Sequence, residues 1–395
     1  MTPLSGKETN LWDARHTPWI YGYAEIRINM YKSNLRVSLT SDRLISIAEV
    51  DHVNKILSDS LCSTKNLIEE HGKNGKWDHA KTFTNPFELV YKTNTVKVVP
   101  VSRAFFKIWE VVQDAFILPL EPVKIAYVAE GPGGFIQGIV EYRKKQPVDC
   151  SLDRHVAITL VSRRRSVPCW KLSREWVEEN NVEFCYGDDG TGDIYNVGNV
   201  RRFSEYCSGF DIVTADGGFD FSNDFNSQET NVLRMLISEV LCALLILRDG
   251  GSFIFKTFDT LSRSTSCIIQ ILVKSFNKVV CTKPLSSRPA NSEKYFVCTG
   301  FKRDEGCIFI DILESLLSLG KRFTVEDVYR ALELNIDVYY NVCLVNISMV
   351  YRQLCTILKT LQFINTSDGD EETKKQIRLY QDELAFAWTQ NFKCL

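Results

Sequence analysis

Two apolar segments each end near an ionisable residue, one near an acid and the other near a lysine. Together these two side chains could take part in proton transfer. Asp216 follows the β-branched run 211–215, and Lys256 lies near the end of the apolar run 252–258. A lysine in a buried strand needs an acidic partner, whereas a single strand-end acid is as often a turn former. Such a pair could withdraw the proton of a hydroxyl group or stabilise the oxyanion that results.

The elements around this pair must bring it together. Residues 211–215 predict a strand, and residues 226–248 carry apolar side chains at helical spacing before Gly250 and Gly251. Residues 252–258 predict a second buried strand. A right-handed crossover makes the two strands parallel, so their carboxyl ends lie at one edge. Open α/β sheets bind ligands at that edge, so the sequence predicts an α/β protein with its site there.

A glycine-rich turn follows an earlier apolar strand. Residues 124–129 predict the strand, and Glu130-Gly131-Pro132-Gly133-Gly134-Phe135 leads into a helix from Ile136 to Tyr142. Such a turn lets the backbone approach a ligand and directs helix N–H groups at it, although many only permit tight packing. It is not the dinucleotide fingerprint, and no phosphate-binding lysine follows. The acid suits hydroxyl or ammonium groups better than a pyrophosphate, which favours S-adenosylmethionine as the ligand.

Two more polar loops follow or precede predicted strands. After strands at 155–161 and 182–186, residues 187–194 carry Asp188 and Asp193, which could accept from an adenine amino group or only form turns. Residues 283–293 precede the last strand, Lys294 to Cys298. The side chains of this loop suit a phosphodiester and a ribose; they include Ser287, Arg288, Asn291, Ser292 and Glu293.

Composition limits the class of protein. The 395 residues are 45% hydrophobic and 24% charged, as in ordinary globular proteins. The net charge of −2 gives no overall basic field, so an RNA-binding surface must be local. The basic runs 143–145, 163–165 and 201–202 are candidates, and each could equally be a solvated face.

The cysteine pattern and the length of the apolar runs bear on where the protein is located in the cell. The 13 cysteines show neither Cys-x-x-Cys pairs nor zinc-ligand spacing, so reduced thiols, an intracellular location and no metal are expected. The longest apolar run, 237–247, is short of the roughly 20 residues that span a bilayer, so we expect a soluble protein without a membrane partner.

The sequences of the two terminal regions say little about function. Residues 1–97 are expected to form an N-terminal extension, with a possible hairpin at 19–37 and a helix at 44–61. Its aromatic residues could stack on bases or belong to a core. Residues 303–395 show helical periodicity and predict a C-terminal α-helical accessory region.

Taken in order, these motifs resemble the FtsJ (RrmJ-like) family of ribose 2′-O-methyltransferases, especially its cap-specific messenger-RNA branch. The resemblance covers residues 98–302, the expected methyltransferase domain. Residues 102–107 resemble the motif with the first catalytic lysine, residues 130–135 the S-adenosylmethionine loop, and residues 291–295 the motif with the closing glutamate. The loop at 283–295 is also similar to one in methyltransferase-like proteins of large cytoplasmic DNA viruses.

The resemblance implies a Rossmann-like methyltransferase fold with a mostly parallel central sheet. It implies a catalytic tetrad of Lys107, Asp216, Lys256 and Glu293. It also implies cofactor contacts from Glu130, Gly131, Pro132, Gly133, Gly134, Phe135, Asp188, Asp193 and Asp216. The RNA contacts that it implies are Arg103, Ser287, Arg288, Asn291 and Ser292.

The chemistry is alignment and charge stabilisation. A ribose hydroxyl is a poor nucleophile until its proton leaves, whereas a sulfonium methyl group is already activated. Alignment alone can supply about 7–11 kcal/mol. Burial and Lys107 would lower the pKa of Lys256 from its usual ~10.4, and Asp216 and Glu293 would oppose that shift. We expect Lys256 to be the general base or the main alkoxide stabiliser, with Lys107 positioning the ribose; which lysine is neutral stays open.

Several functions remain open. The leading hypothesis is 2′-O-methylation of cap-proximal nucleotides in messenger RNA, with other capping or transcription proteins as possible partners. The same chemistry on ribosomal or transfer RNA, a non-catalytic RNA-binding subunit, and a small-molecule methyltransferase are the alternatives. The location would be the cytoplasm (a virus factory or virion if the protein is viral) or the nucleus.

Overall fold

A computed structural model describes residues 32–33, 45–91, 98–162, 167–218, 225–366 and 370–392, with the backbone alone at 32–33 and 225–231. The hairpin predicted at 19–37 lies outside the described residues apart from 32–33, and so does the basic run 163–165.

Among the residues that the structure describes, eight strands form one sheet. They are β1 (Lys32–Ser33), β2 (Lys124–Val128), β3 (Arg154–Ile158), β4 (Val182–Cys185), β5 (Phe210–Ala215), β6 (Leu247–Thr257), β7 (Phe276–Thr282) and β8 (Lys294–Phe301).

Helices precede, connect and follow these strands. They are α1 (Ile47–His71), α2 (Lys76–Thr84), α3 (Ala104–Ala115), α4 (Gly134–Lys144), α5 (Arg174–Glu179), α6 (Val197–Tyr206), α7 (Phe225–Ile246), α8 (Arg263–Ser275), α9 (Arg303–Cys307), α10 (Ile310–Ser318), α11 (Val325–Ala331), α12 (Ile336–Thr366) and α13 (Glu371–Phe392). Short 3₁₀ turns lie at Glu88–Tyr91, Cys150–Leu152 and Gly320–Arg322.

The strand order explains where the site lies. The sheet runs β1-β7-β8-β6-β5-β2-β3-β4. The strands from β6 to β4 in this order are parallel, whereas β8 is antiparallel to both β6 and β7. The predicted parallel pairing of β5 and β6 is confirmed, and Ala215 lies opposite Phe255. The next residues, Asp216 just after β5 and Lys256 still within β6, therefore lie side by side, next to the switch in chain order at β2.

The core lies on both faces of the sheet. Ile125 and Tyr127 pack with α3 and α4 on one face, whereas Ala126 and Val128 pack with α7 and α8 on the other. Alternate residues of a strand point to opposite faces, so a strand covered on both sides must be apolar throughout. This is why the strands were recognisable as continuous apolar runs.

The terminal regions pack against the sheet domain. Helices α1 and α2 lie along α12, where the Phe83 and Phe363 rings stack with centroids 5.4 Å apart. The end of α13 lies on α3, where the Trp388 and Phe106 rings meet edge to face at 5.6 Å. The domain boundaries after residues 97 and 302 stay predictions.

Helix α12 is 31 residues long. In the part of the chain that the structure describes, it is the one helix long and apolar enough to cross a membrane by length and composition. Half of its most apolar 18-residue stretch is buried inside the protein, as is usual for a core helix that passes the same test.

Candidate active site

Lys256 and Asp216 form an ion pair at the carboxyl edge of the sheet. The Lys256 Nζ lies 3.1 Å from Asp216 Oδ1 and donates to the Asp216 carbonyl oxygen at 2.8 Å. Both side chains are mostly buried, with 10% and 16% of their surface exposed. Parallel pairing of β5 and β6 places them together, as the sequence predicted.

A second ion pair joins Lys107 of α3 to Glu293, which precedes β8. The Lys107 Nζ lies 2.8 Å from the Glu293 carboxylate, which also accepts from the Ser287 hydroxyl at 2.7 Å. The Tyr295 hydroxyl, two residues beyond Glu293, donates to Asp216 Oδ1 at 3.3 Å. Lys256 and Glu293 also interact electrostatically, so all four predicted tetrad residues lie in one site.

The electrostatics of this site favour the charged forms of Glu293 and Lys256. Burial raises the pKa of Glu293, but Lys107, Lys256 and Lys283 outweigh it and hold that pKa at about 2. Burial also favours neutral Lys256, yet Asp216 and Glu293 prevail and raise its pKa above the usual value. The sequence left open whether burial or the carboxylates would determine the pKa of Lys256. The carboxylates do, so Lys256 is an ammonium in the free protein.

The glycine-rich turn between β2 and α4 is closely enclosed. Gly133 has φ +109°, and a Cβ there would lie 2.8 Å from a Leu172 methyl carbon. A Cβ at Gly131 would lie 2.4 Å from the Pro168 carbonyl oxygen. Helix α4 begins at Gly134, so its first N–H groups point toward the turn. Only glycine fits at these two positions without displacing Leu172 or the Pro168 carbonyl.

Phe135 belongs to the core rather than to the surface of this turn. Its side chain is 1% exposed, and its ring lies 5.9 Å from that of Tyr295. Because the side chain is buried, Phe135 could contact the cofactor only through its backbone N–H.

Glu130 carries an unsatisfied carboxylate oxygen at the start of the turn. The residue is 2% exposed, and its Oε1 accepts from the Thr214 hydroxyl. Its Oε2 has no hydrogen-bond partner among the described residues. Burial raises the pKa of Glu130 well above its usual value, and Asp216 and Glu239 add to this shift. A buried acid with one unpartnered oxygen at this edge fits a ligand with hydroxyl or ammonium donors, such as S-adenosylmethionine.

The acidic loop after β4 is organised by a buried amide. Asn199 of α6 accepts from the N–H groups of Asp188 and Asp189, at 2.8 and 3.1 Å. Asp193 accepts from the Tyr195 N–H at 2.9 Å, a turn-forming bond, while the Asp188 side chain is exposed. The adenine contacts expected of Asp188 and Asp193 stay predictions.

The two predicted RNA-binding arginines share a buried acid. Glu88 lies 3.1 Å from the Arg103 Nη1 and 2.9 Å from the Arg288 Nη2. Burial raises the pKa of Glu88, but Arg288 and Arg103 lower it to about 2. Arg103 also donates to the Ser286 carbonyl at 3.2 Å, whereas Arg288 keeps 31% of its side chain exposed. Both arginines fix the 283–293 loop, and their contacts with RNA stay predictions.

Lys283 holds the same loop together from inside, and sequence reasoning gave it no role. Its Nζ donates to Asn291 Oδ1 at 2.7 Å and to the Glu293 carbonyl at 2.6 Å. Burial lowers its pKa to about 7, although Glu293 opposes this shift. A lysine directly before Pro284, after an apolar strand, was the available signal.

Glu239 was also missed, because it lies within the apolar face of α7. Its Oε1 accepts from the Gly217 N–H at 3.2 Å, next to Asp216. Burial raises its pKa to about 8; Lys256 opposes this shift and Asp216 adds to it. An acid between Ser238 and Val240, in the middle of an apolar helix, was the signal.

These pairs and the adjoining turn are the features of a methyltransferase. The FtsJ-like methyltransferase family matches residues 100–301, and the chain belongs to this family. The predicted family and α/β fold class are confirmed, and S-adenosylmethionine is the cofactor. The expected similarity to viral proteins stays a prediction.

The curated relatives are larger proteins. The cap-specific mRNA (nucleoside-2'-O-)-methyltransferase 2 of Danio rerio is 29% identical over 261 residues, covering 63% of this chain and 35% of that protein. The corresponding enzyme 1 of Homo sapiens is 31% identical over 244 residues, covering 56% and 28%. Enzyme 1 of Xenopus laevis is 28% identical over 367 residues, covering 85% and 42%. The chain therefore spans less than half the length of these relatives.

A solved structure is similar as well. The crystal structure of a ribosomal RNA methyltransferase from Plasmodium falciparum is 21% identical, with a TM-score of 0.36, and covers 51% of this chain and 97% of that one.

Proposed function

We propose that this chain transfers a methyl group from S-adenosylmethionine to the ribose 2′-hydroxyl of a cap-proximal nucleotide in messenger RNA. The observation that carries the proposal is the presence of two neighbouring ion pairs, Lys256–Asp216 and Lys107–Glu293, beside the Glu130 turn. The cap-specific names of the relatives support the capped substrate.

Glu130, the 131–135 backbone and Asp216 are proposed to hold the cofactor, which supplies a sulfonium-bound methyl group. Glu130 Oε2 would accept from its hydroxyl or ammonium donors, and the N–H groups at the start of α4 would face it. Asp188 and Asp193 are proposed to border its adenine.

Lys256 acts by charge in this proposal. Its ammonium group is fixed by the Asp216 carboxylate and carbonyl oxygens. It stabilises the negative charge that develops on the ribose oxygen as that oxygen takes the methyl group from sulfur and gives its proton to solvent water. A general-base role would require neutral Lys256, which Asp216 and Glu293 disfavour. Of the two roles expected for Lys256, alkoxide stabilisation therefore fits the site better.

Lys107 would position the ribose, and Glu293 would hold Lys107. This carboxylate is ionised at neutral pH and is fixed by Ser287, so the Lys107 ammonium has one preferred position. Rigid placement of the hydroxyl relative to the methyl group is the larger part of the expected catalysis.

The RNA is proposed to lie along the 283–293 loop. A groove of about 230 Å³ beside it is lined by Trp77, Lys81, Arg288, Asn291 and Thr356. Trp77 could stack on a base, and Arg288 could meet a phosphate. Asn291 and Ser292 would contact the backbone from the loop, whereas Arg103 and Ser287 would act mainly by holding it. Association with other capping or transcription proteins stays a prediction.

The position of the new methyl group tests the chemistry. Capped RNA would be incubated with the protein and methyl-labelled S-adenosylmethionine, then digested to nucleosides. Label on a ribose 2′-oxygen is expected. Label on a base, or on the cap guanine, would contradict the proposed reaction.

A further inference from the structure

A buried glutamate on helix α3, which also carries Lys107, contacts the 283–293 loop directly. Glu110 lies three residues after Lys107 in α3 and is 3% exposed. Its carboxylate accepts from the backbone N–H groups of Leu285 at 2.6 Å and Ser286 at 2.8 Å. It accepts a third bond from the Trp388 indole N–H, at 3.0 Å. All three partners are donors, which an ionised carboxylate satisfies and a side-chain amide cannot fully satisfy.

Helix α3 thereby fastens the 283–293 loop at both ends. Glu110 binds the start of the loop, and Lys107 binds Glu293 at its end. Between them, Ser287 directly follows the fastened Ser286 and donates to the Glu293 carboxylate. A shift of the Ser286 backbone would therefore move the hydroxyl that orients Glu293.

The third bond brings in the C-terminal helix. Trp388 lies in α13, whose last residues are also fastened to α3: the Trp109 indole donates to the Phe392 carbonyl at 2.8 Å. At the exposed side of this contact, Gln113 donates to the Asn391 carbonyl at 3.0 Å. Glu110 is thus the residue at which helix α13 and the 283–293 loop meet.

We infer that Glu110 is a positioning residue for the methyl-transfer reaction. Through Trp388, it couples the docking of the C-terminal helix α13 to the placement of Glu293 and Lys107. This inference rests on the proposed function. Glu110 acts through its contacts with Leu285, Ser286 and Trp388. Loss of these contacts loosens the loop without altering the cofactor turn.

The test compares three variants of the full chain. Glu110→Gln keeps the size of the side chain but turns an amide NH₂ toward one of the donors, so kcat should fall at least about tenfold. The dissociation constant for S-adenosylmethionine and the KM for RNA should stay within about twofold. Trp388→Phe removes only the indole donor and should reduce kcat by less. Gln113→Ala removes a surface bond between α3 and α13 and should leave kcat unchanged.

Hydrogen exchange gives a readout that is independent of activity. The Leu285 and Ser286 amides should exchange faster in Glu110→Gln than in the wild-type protein, and normally in Gln113→Ala. Unchanged exchange together with an unchanged kcat would overturn the inference. If Glu110→Gln does not fold, normal kcat and normal exchange in Trp388→Phe would overturn it. Inactive wild-type protein would contradict the proposed function, whereas the exchange measurement would still test Glu110.

Discussion

Lys107 and Glu293 form an ion pair of 2.8 Å although 186 residues separate them in the chain. The pair joins helix α3 to the loop before β8, and three lysines keep the Glu293 pKa at about 2. A group whose folded pKa is lowered stabilises the protein above its unfolded pKa, so this contribution is lost only as the pH falls from about 4.5 toward 2. The Glu293 carboxylate is therefore ionised throughout the neutral pH range.

Replacing Lys256 should stop catalysis without removing the cofactor. In Lys256→Ala the alkoxide loses its ammonium partner, and methyl transfer should fall by about a hundredfold or more. The dissociation constant for S-adenosylmethionine, measured by calorimetry, should change only a few-fold. Lys278→Ala, at an exposed lysine of β7, is the control. Near-normal turnover in Lys256→Ala would remove Lys256 from the mechanism.

Replacing Gly133 should weaken cofactor binding. The valine side chain of Gly133→Val would meet Leu172, and the residue would have to adopt φ +109°. Calorimetry should show at least about a tenfold loss of affinity for S-adenosylmethionine, since strain and steric conflict each cost of order 1–3 kcal/mol. Gly209→Ala is the matched control: its φ is +75°, but its Cβ would meet no atom within 4 Å. Equal affinity in wild type and Gly133→Val would place the cofactor elsewhere.

Glu239 should make stability fall as the pH rises. Burial raises its folded pKa to about 8, against 4.5 for a free glutamate, so the folded protein binds an extra proton between these values. The resulting stabilisation is complete below about pH 4.5 and is lost as the pH rises to about 8. Glu239→Gln should therefore gain stability relative to wild type between pH 6 and pH 8 in urea unfolding.

That comparison isolates one group. Glu110, whose pKa burial raises to about 7, contributes a slope of the same sign and stays in both proteins. Asp216 and Lys256 also face Glu239, so the comparison should be repeated in the Lys256→Ala background, where a larger upward shift is expected. An identical pH dependence in wild type and Glu239→Gln would show that Glu239 is ionised throughout.

Replacing Arg288 should weaken RNA binding through a phosphate contact. Arg288→Ala is expected to reduce the slope of log affinity against log salt by about one. Arg201→Ala, which removes an arginine paired with Glu314, should leave the slope unchanged. An unchanged slope in Arg288→Ala, with a lower melting temperature, would limit Arg288 to its pair with Glu88.

The sequence predicted the parts of the site that local patterns define. Asp216, Lys256 and Glu130 each lie at the end of an apolar strand, and parallel pairing then requires that they share an edge. Glu110 and Glu239 could not be found in this way, because each looks like one polar residue in an apolar helix. Their roles depend on approaches between distant segments, such as the contact of Glu110 with Trp388, 278 residues away. The direction of the Lys256 pKa shift likewise depends on distances that no sequence pattern contains.

The most direct test of the central claim is methyl transfer from labelled S-adenosylmethionine to short RNAs that differ only at the 5′ end. Matched RNAs would carry a triphosphate, a guanosine cap or an N7-methylguanosine cap. We predict transfer to the capped RNAs, at a ribose 2′-oxygen, and none to the triphosphate RNA. Equal transfer to all three would contradict cap specificity, and no transfer to any of them, with the cofactor bound, would contradict the proposed activity of this chain.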